Sequence, residues 1–156
     1  MLLISTQIAV IATGLVAGVF LTFSDFVMRS LAASQPVAGT EAMQMINRKV
    51  YNSVFLALLL GMTGGSILLA VAGMTTGGPA APWLIAGGAI YLVGVFVVSV
   101  IGNIPMNKRL DVLPPGVAPT DAYWRHYARV WTRWNHVRTI SSTAAATAFL
   151  IAAQHL

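Results

Sequence analysis

Three long stretches without charge constrain this chain more than any other feature. No Asp, Glu, Lys or Arg occurs in residues 1–24, 50–107 or 139–156. A helix needs about 20 apolar residues to cross a bilayer, so the middle stretch is long enough for two crossings. Glycines and prolines within residues 74–82 supply the turn between them. The sequence therefore predicts one all-α integral membrane domain, residues 1–156, with spans near 2–23, 54–73, 83–102 and 139–153.

The charged residues predict the orientation of these spans. All nine Lys and Arg fall in two segments: Arg29, Arg48 and Lys49 between spans one and two, and the other six between residues 108 and 138. The connection between spans two and three carries no charge. By the positive-inside rule, both basic segments face the cytoplasm and both termini lie outside. This orientation of the four spans predicts an up-down-up-down four-helix bundle. The expected location is a membrane of the bacterial inner (plasma) membrane type.

Residues 120–139 are the least typical part of the chain. On a helix, at about 100° per residue, one face gathers rings, an amide and a guanidinium: Trp124, Tyr127, Trp131, Trp134, Asn135 and Arg138. The opposite face is basic, with Arg125, Arg129, Arg133 and His136. One interpretation is an aromatic belt at the membrane surface with a collar of arginines facing headgroups. The other is a binding site for a planar, oxygen-bearing molecule.

Arg138 is difficult to explain as part of a belt, because it shares the tryptophans' face and borders the last charge-free stretch. Such an arginine either extends outward or has a partner inside the protein. Asp25, about one turn beyond the first apolar stretch, is either a solvated carboxylate, a buried partner for Arg138, or a proton acceptor. His136 is the other candidate base in this segment, although it lies on the basic face.

Further polar candidates precede span two. Thr40 is a plausible N-cap for a helix that continues into this span, so helices 2 and 4 are both expected to extend into the cytoplasm. Gln44, Asn47 and Tyr51 have helical 3–4 spacing and share one side of that helix. They form either a solvated polar face or part of the site.

The end of span three offers two amides around a proline. Pro105 removes a backbone donor and disturbs the preceding turn. Asn103 and Asn107 either satisfy the freed backbone groups or hydrogen-bond a ligand. Elsewhere, Gly14 and Gly18, and Gly61 and Gly65, have the small-xxx-small spacing that lets membrane helices approach closely.

Several kinds of site are disfavoured by the residues themselves. There is no cysteine, and the three histidines are too far apart in the predicted helices to share a metal ion. Nucleic acid is not expected as a partner, because the tryptophans face away from most of the arginines. An aromatic pocket with amides and one arginine suits an oxidation in which the substrate supplies the electrons and the protein stabilises an anion.

Four segments resemble the anthrone oxygenase-like family of small four-span membrane proteins. They are Gly18-Val-Phe20 with Ser24, residues 43–47 (MQMIN), residues 103–107 (NIPMN) and residues 131–139 (WTRWNHVRT). The resemblance covers nearly the whole chain, with one departure: no proline lies near Arg29, where one is expected. It implies oxidation of a polycyclic anthrone to an anthraquinone by dioxygen as co-substrate, without metal or flavin.

The leading hypothesis is thus a cofactor-independent monooxygenase acting on a lipophilic anthrone- or hydroquinone-like substrate that enters from the inner leaflet. Stacking is assigned to Trp131 and Trp134, with Tyr127, Gln44, Asn47 and Tyr51 also lining the substrate site. Hydrogen bonds to the oxyanion and dioxygen are assigned to Asn103, Asn107, Asn135 and Arg138, and proton removal to Asp25 or His136. The alternative is a non-catalytic module that binds a membrane lipid or quinone, or an accessory subunit. Homo-oligomerisation is left open.

Overall fold

A computed structural model describes all residues from 1 to 156 and contains helices and no strand. We number five helices: α1 (Leu2–Ala33), α2 (Pro36–Lys49), α3 (Val54–Thr76), α4 (Ala81–Asp111) and α5 (Ala118–Gln154). Helix α1 contains a π-helical turn at Phe23–Val27, and α4 contains two, at Leu92–Val97 and Ser99–Asn103. The all-α prediction is confirmed.

Three helices, α1, α3 and α4, are long and apolar enough to cross a membrane. They correspond to the first three predicted spans and are consistent with an integral membrane protein. Helix α5 is not in this class, because its first half is charged and its second half is rich in Ala, Ser and Thr. The fourth crossing and the alternating direction of the spans therefore stay predictions.

The long helices pack in a ring, in which α1 and α4 each contact both α3 and α5. The main core fills the ring with residues from all of these helices, including Val16, Phe20, Leu59, Leu84, Tyr91 and Phe149. A second, smaller core lies at the charged end, where α2 joins the ends of α1 and α4 and the start of α5. It consists of Met28, Met43, Leu110, Tyr123, Trp124, Tyr127 and Trp131.

Helix α5 has the predicted inner face and is longer than one membrane crossing requires, as expected. Its 37 residues span about 55 Å at 1.5 Å per residue, longer than a hydrocarbon core of about 30 Å. The predicted inner face is buried at Trp124, Tyr127, Trp131, Asn135 and Arg138, and only Trp134 is half-buried. The arginines of the opposite face and His136 are exposed.

The extension of the second predicted helix is wrong in two respects. Helix α2 begins at Pro36 rather than at Thr40, because proline at the first helical turn needs no hydrogen bond for its nitrogen. It also does not continue into α3. A 3₁₀ turn at Val50–Asn52 separates them, and the Ser53 side chain caps α3 by accepting a 3.2 Å hydrogen bond from the Leu56 N–H.

The predicted close-packing glycines are also corrected. A Cβ atom added at Gly14, Gly18 or Gly61 would meet nothing within 4 Å, and one at Gly65 would meet only its own helix. Most of the close approaches occur instead along α4, where Gly88 faces the backbone of α3 and Gly87, Gly94 and Gly102 face side chains of α5. Spacing alone did not show which glycines face a neighbouring helix.

Candidate functional site

A cavity of about 420 Å³ lies between the two cores. All five helices and the α2–α3 connection contribute to its wall. Fifteen of its 22 lining residues are hydrophobic, so the few polar groups determine where a polar ligand atom can bind. Half of the predicted site residues line it: Asn47, Tyr51, Asn107, Trp131, Asn135 and Arg138.

Asn135 connects α1 to Arg138 at one end of the cavity. Its Nδ2 donates to the Phe20 carbonyl oxygen at 2.6 Å and to Ser24 Oγ at 2.7 Å, and its Oδ1 accepts from Arg138 Nη2 at 2.6 Å. The side chain is fully buried. Because the Asn135 Nδ2 group has two acceptors and its Oδ1 accepts from the Arg138 guanidinium, the orientation of the Asn135 amide is determined.

Arg138 is buried without an acidic partner. Its Nη1 donates to Ser99 Oγ at 3.3 Å, while its Nε has no hydrogen-bond partner. The guanidinium carbon lies 4.3 Å from the centroid of the Phe20 ring and 5.2 Å from that of the Trp131 ring. Aromatic faces attract a cation, but they do not accept the remaining in-plane N–H groups.

Asn107 is oriented by two donors from α5. Its Oδ1 accepts from the Tyr127 hydroxyl at 2.7 Å and from Trp131 Nε1 at 2.8 Å. Since both partners are donors here, the oxygen must face α5, and the Nδ2 group remains free to donate into the cavity. Burial raises the pKa of Tyr127 far above its usual value, although the nearby Asn47 amide acts in the opposite sense. Tyr127 therefore remains a neutral donor rather than a base.

The irregular turns of α1 and α4 lie beside this site. The turn at Phe23–Val27 contains Ser24, which bonds to Asn135. The turn at Ser99–Asn103 ends two residues before Pro105, which cannot donate to the previous turn of helix. Single π-helical turns are frequent at functional sites, because they change the direction of side chains without ending the helix.

Three predicted residues hold the helices together instead of lining the cavity. Gln44 Nε2 donates to the carbonyl oxygens of Leu110 and Leu113, at 2.9 Å each. Asn103 Nδ2 donates to the Trp131 carbonyl oxygen at 3.2 Å. Trp134 packs over Gly102, outside the cavity lining. Tyr127 likewise lies behind Asn107 rather than on the cavity wall.

The two predicted bases are not brought to the cavity. Asp25 pairs with Arg29 at 2.9 Å, and its side chain is 61% exposed. It makes no contact with Arg138, so of the alternatives open for Asp25 the structure favours the solvated carboxylate over the pair with Arg138. His136 is exposed on the outer face of α5. The positions of Asp25 and His136 outside the cavity follow from helix geometry, since each residue lies away from the buried face of its own helix.

Ser99 was missed by the sequence reasoning. It is 5% exposed, lines the cavity and is a partner of Arg138. The only sequence signal for a role of Ser99 was its hydroxyl within a very apolar stretch. The same pattern is equally typical of a serine that bonds only to its own helix. Ser99 does both, because its Oγ also donates to the Val95 carbonyl oxygen at 2.7 Å.

The comparisons with known proteins give one match. No curated protein and no solved structure matches the chain. A family model described as anthrone oxygenase matches residues 43–148, which is more than half of the chain and includes the NIPMN segment of α4 and the WTRWNHVRT segment of α5. This chain belongs to the anthrone oxygenase family.

Proposed function

We propose that this protein is a membrane-embedded oxygenase that oxidises a lipophilic aromatic substrate, anthrone- or hydroquinone-like, with dioxygen and without a cofactor. The observation that carries the proposal is the unpartnered Nε of buried Arg138 on the wall of an aromatic cavity. The Asn107 amide supplies a second donor to the same cavity. Donors fixed in an apolar site stabilise developing negative charge far better than water-exposed ones do.

The reaction assigned to the site balances without another reductant. In an anthrone, the reacting CH₂ carbon loses two hydrogens and gains one oxygen, a four-electron oxidation. The substrate anion transfers an electron to dioxygen, and the two radicals then combine through a C–O bond. The resulting peroxide takes up a proton, and the O–O bond breaks as water leaves with the remaining C–H proton. One oxygen atom stays on the ring and the other leaves as water.

The roles proposed for the residues follow their positions. Trp131 and Phe20 supply ring faces against which a planar substrate stacks. Arg138 and Asn107 bind its oxygen atoms, and Asn135 and Ser99 hold Arg138 in place. No proton-removing role is assigned to Asp25 or His136, because neither reaches the cavity.

The substrate route that we propose runs through lipid. Leu60 of α3 and Val100 and Ile104 of α4 line the cavity and are also 52%, 45% and 37% exposed. The cavity therefore reaches the outer surface between α3 and α4. With four crossings and both termini outside, as the distribution of charge predicts, this opening faces the inner leaflet.

Oxygen uptake by the purified protein tests the proposal. With an anthrone as substrate, we expect one dioxygen to be consumed for each anthraquinone formed, after subtraction of the rate without protein. Trp131→Ala and Asn107→Leu should each lower the rate at least tenfold, while Arg133→Gln on the exposed face of α5 should not. If uptake is absent while the anthrone still binds, the protein is a non-catalytic binding module and the proposal is wrong.

A further inference from the structure

We infer that the cavity takes its aromatic ligand as an anion, already ionised when it is buried, and that no side chain of this protein acts as the base. The inference rests on the proposed function only for the aromatic class of the ligand. The charge of the ligand and the absence of a base follow from separate observations on the cavity wall.

The first observation is the uncompensated charge of Arg138. The side chain is 7% exposed, and the only two salt bridges in the molecule lie elsewhere, Arg29–Asp25 and Arg48–Asp111. A buried cation without a counter-ion is costly unless something else neutralises it. Asn135 Oδ1 and Ser99 Oγ accept hydrogen bonds from Arg138. Both oxygen atoms are neutral, so they do not compensate the charge of the guanidinium.

The second observation is the geometry of the unused donor. Phe20 covers the guanidinium at 4.3 Å and Trp131 lies within 5.2 Å. The Nη1 and Nη2 groups are each fixed by one hydrogen bond, so Nε is the donor left without any partner. A guanidinium binds an oxyanion through in-plane N–H groups, and rings beside it favour a flat ligand.

The third observation concerns the ionisable groups that face the cavity. They are Lys49 from α2, Tyr51 from the α2–α3 connection and Arg138 from α5. None comes from α1, α3 or α4, and no Asp, Glu or His lines the cavity. A ligand proton thus has no carboxylate or imidazole to receive it inside. Lys49 is exposed at the rim, where water can accept the proton and a cation attracts the resulting anion.

A lipid phosphate could in principle meet the same guanidinium. The lining argues for an aromatic anion instead, because Phe20, Phe23, Phe55, Phe96 and Trp131 all contribute to it. The experiment therefore includes a phosphate competitor.

The test is a spectroscopic titration of a bound nitronaphthol, which lacks the reacting CH₂ group and whose neutral and ionised forms absorb at different wavelengths. In detergent-solubilised wild-type protein, we expect the bound probe to ionise at lower pH than the free probe. The shift should correspond to tighter binding of the anion by roughly 10- to 100-fold, the range for hydrogen bonds to charged groups. Arg138→Gln should abolish the shift, Arg138→Lys should keep part of it, and Arg133→Gln should keep all of it.

Several results would overturn the inference. They are a bound probe that ionises at higher pH than the free probe, no saturable binding of either form, or displacement by a dialkyl phosphate at lower concentration than by naphtholate. The wild-type titration decides by its sign, even if Arg138→Gln does not fold. Oxygen uptake is measured separately. Anionic binding without uptake refutes the proposed function alone, while uptake with neutral binding refutes this inference alone.

Discussion

Asn135 offers the sharpest test of the site's structure, because a single side chain there makes three short hydrogen bonds. Asn135→Ala removes the bonds to the Phe20 carbonyl and Ser24, at 2.6 and 2.7 Å, and the bond from Arg138, at 2.6 Å. A neutral hydrogen bond contributes about 1 kcal/mol and one to a charged group about 1.5–3 kcal/mol. The expected loss in free energy of unfolding is therefore about 3.5–5 kcal/mol.

Hydrogen bonds between helices in lipid are weaker, about 0.6 kcal/mol on average. With this value for the two bonds to α1, and about 1.5 kcal/mol for the bond from Arg138, the lower limit is about 2.7 kcal/mol. For a chain of this length, 1 kcal/mol corresponds to about 2–4 °C in Tm. We therefore expect the melting temperature in detergent, followed by tryptophan fluorescence, to fall by about 5–20 °C. Asn135→Asp keeps an acceptor for Arg138 and loses only the donors, so its Tm should fall less. It should also bind no nitronaphtholate, because its carboxylate neutralises the guanidinium.

The matched control is Thr143→Ala on the same helix. Thr143 is exposed, and its hydroxyl bonds only to the Thr139 carbonyl oxygen of its own helix, at 2.9 Å. Its substitution should change the free energy of unfolding by less than about 0.5 kcal/mol. If Asn135→Ala melts within 2 °C of the wild type, the network around Arg138 does not stabilise the fold and our account of the cavity wall is refuted.

Three further predictions concern packing, pH and topology. Gly102→Ala should destabilise the protein by about 1–3 kcal/mol, since the new Cβ would lie 2.7 Å from the Trp134 ring. Gly61→Ala has open space around it and should stabilise the helix by about 1 kcal/mol. Equal shifts in Tm for the two variants would contradict this packing. Tyr127→Phe should lower the oxygen-uptake rate about 2- to 10-fold. The factor should be the same at pH 6 and pH 9, because burial raises the pKa of Tyr127 and keeps its hydroxyl neutral at both. A factor that changes with pH would show that Tyr127 ionises. A reporter fused to the C-terminus should behave as extracytoplasmic, and a cytoplasmic signal would reverse the proposed topology.

The sequence determined the helical class, the three most apolar helices and the inner face of α5. These features depend on local quantities, namely the length of apolar stretches and the helical period, which a chain carries without tertiary contacts. The same period correctly separated the buried Trp131, Asn135 and Arg138 from the exposed arginines. Asn107 was found from a different local signal, its position two residues after Pro105.

Only the tertiary structure decided which polar groups face the cavity and which hold the backbone. Asn103 and Asn107 lie one turn apart with the same side chain, yet Asn103 donates to the α5 backbone, while Asn107 lines the cavity and accepts from the Trp131 side chain. Likewise, Asp25 pairs with Arg29 and leaves Arg138 without an acid. The physical reason is that each outcome depends on how one helix is rotated against another. That rotation is set by side-chain packing across the interface, as where the α4 glycines meet α5, and the sequence of a single helix does not contain it.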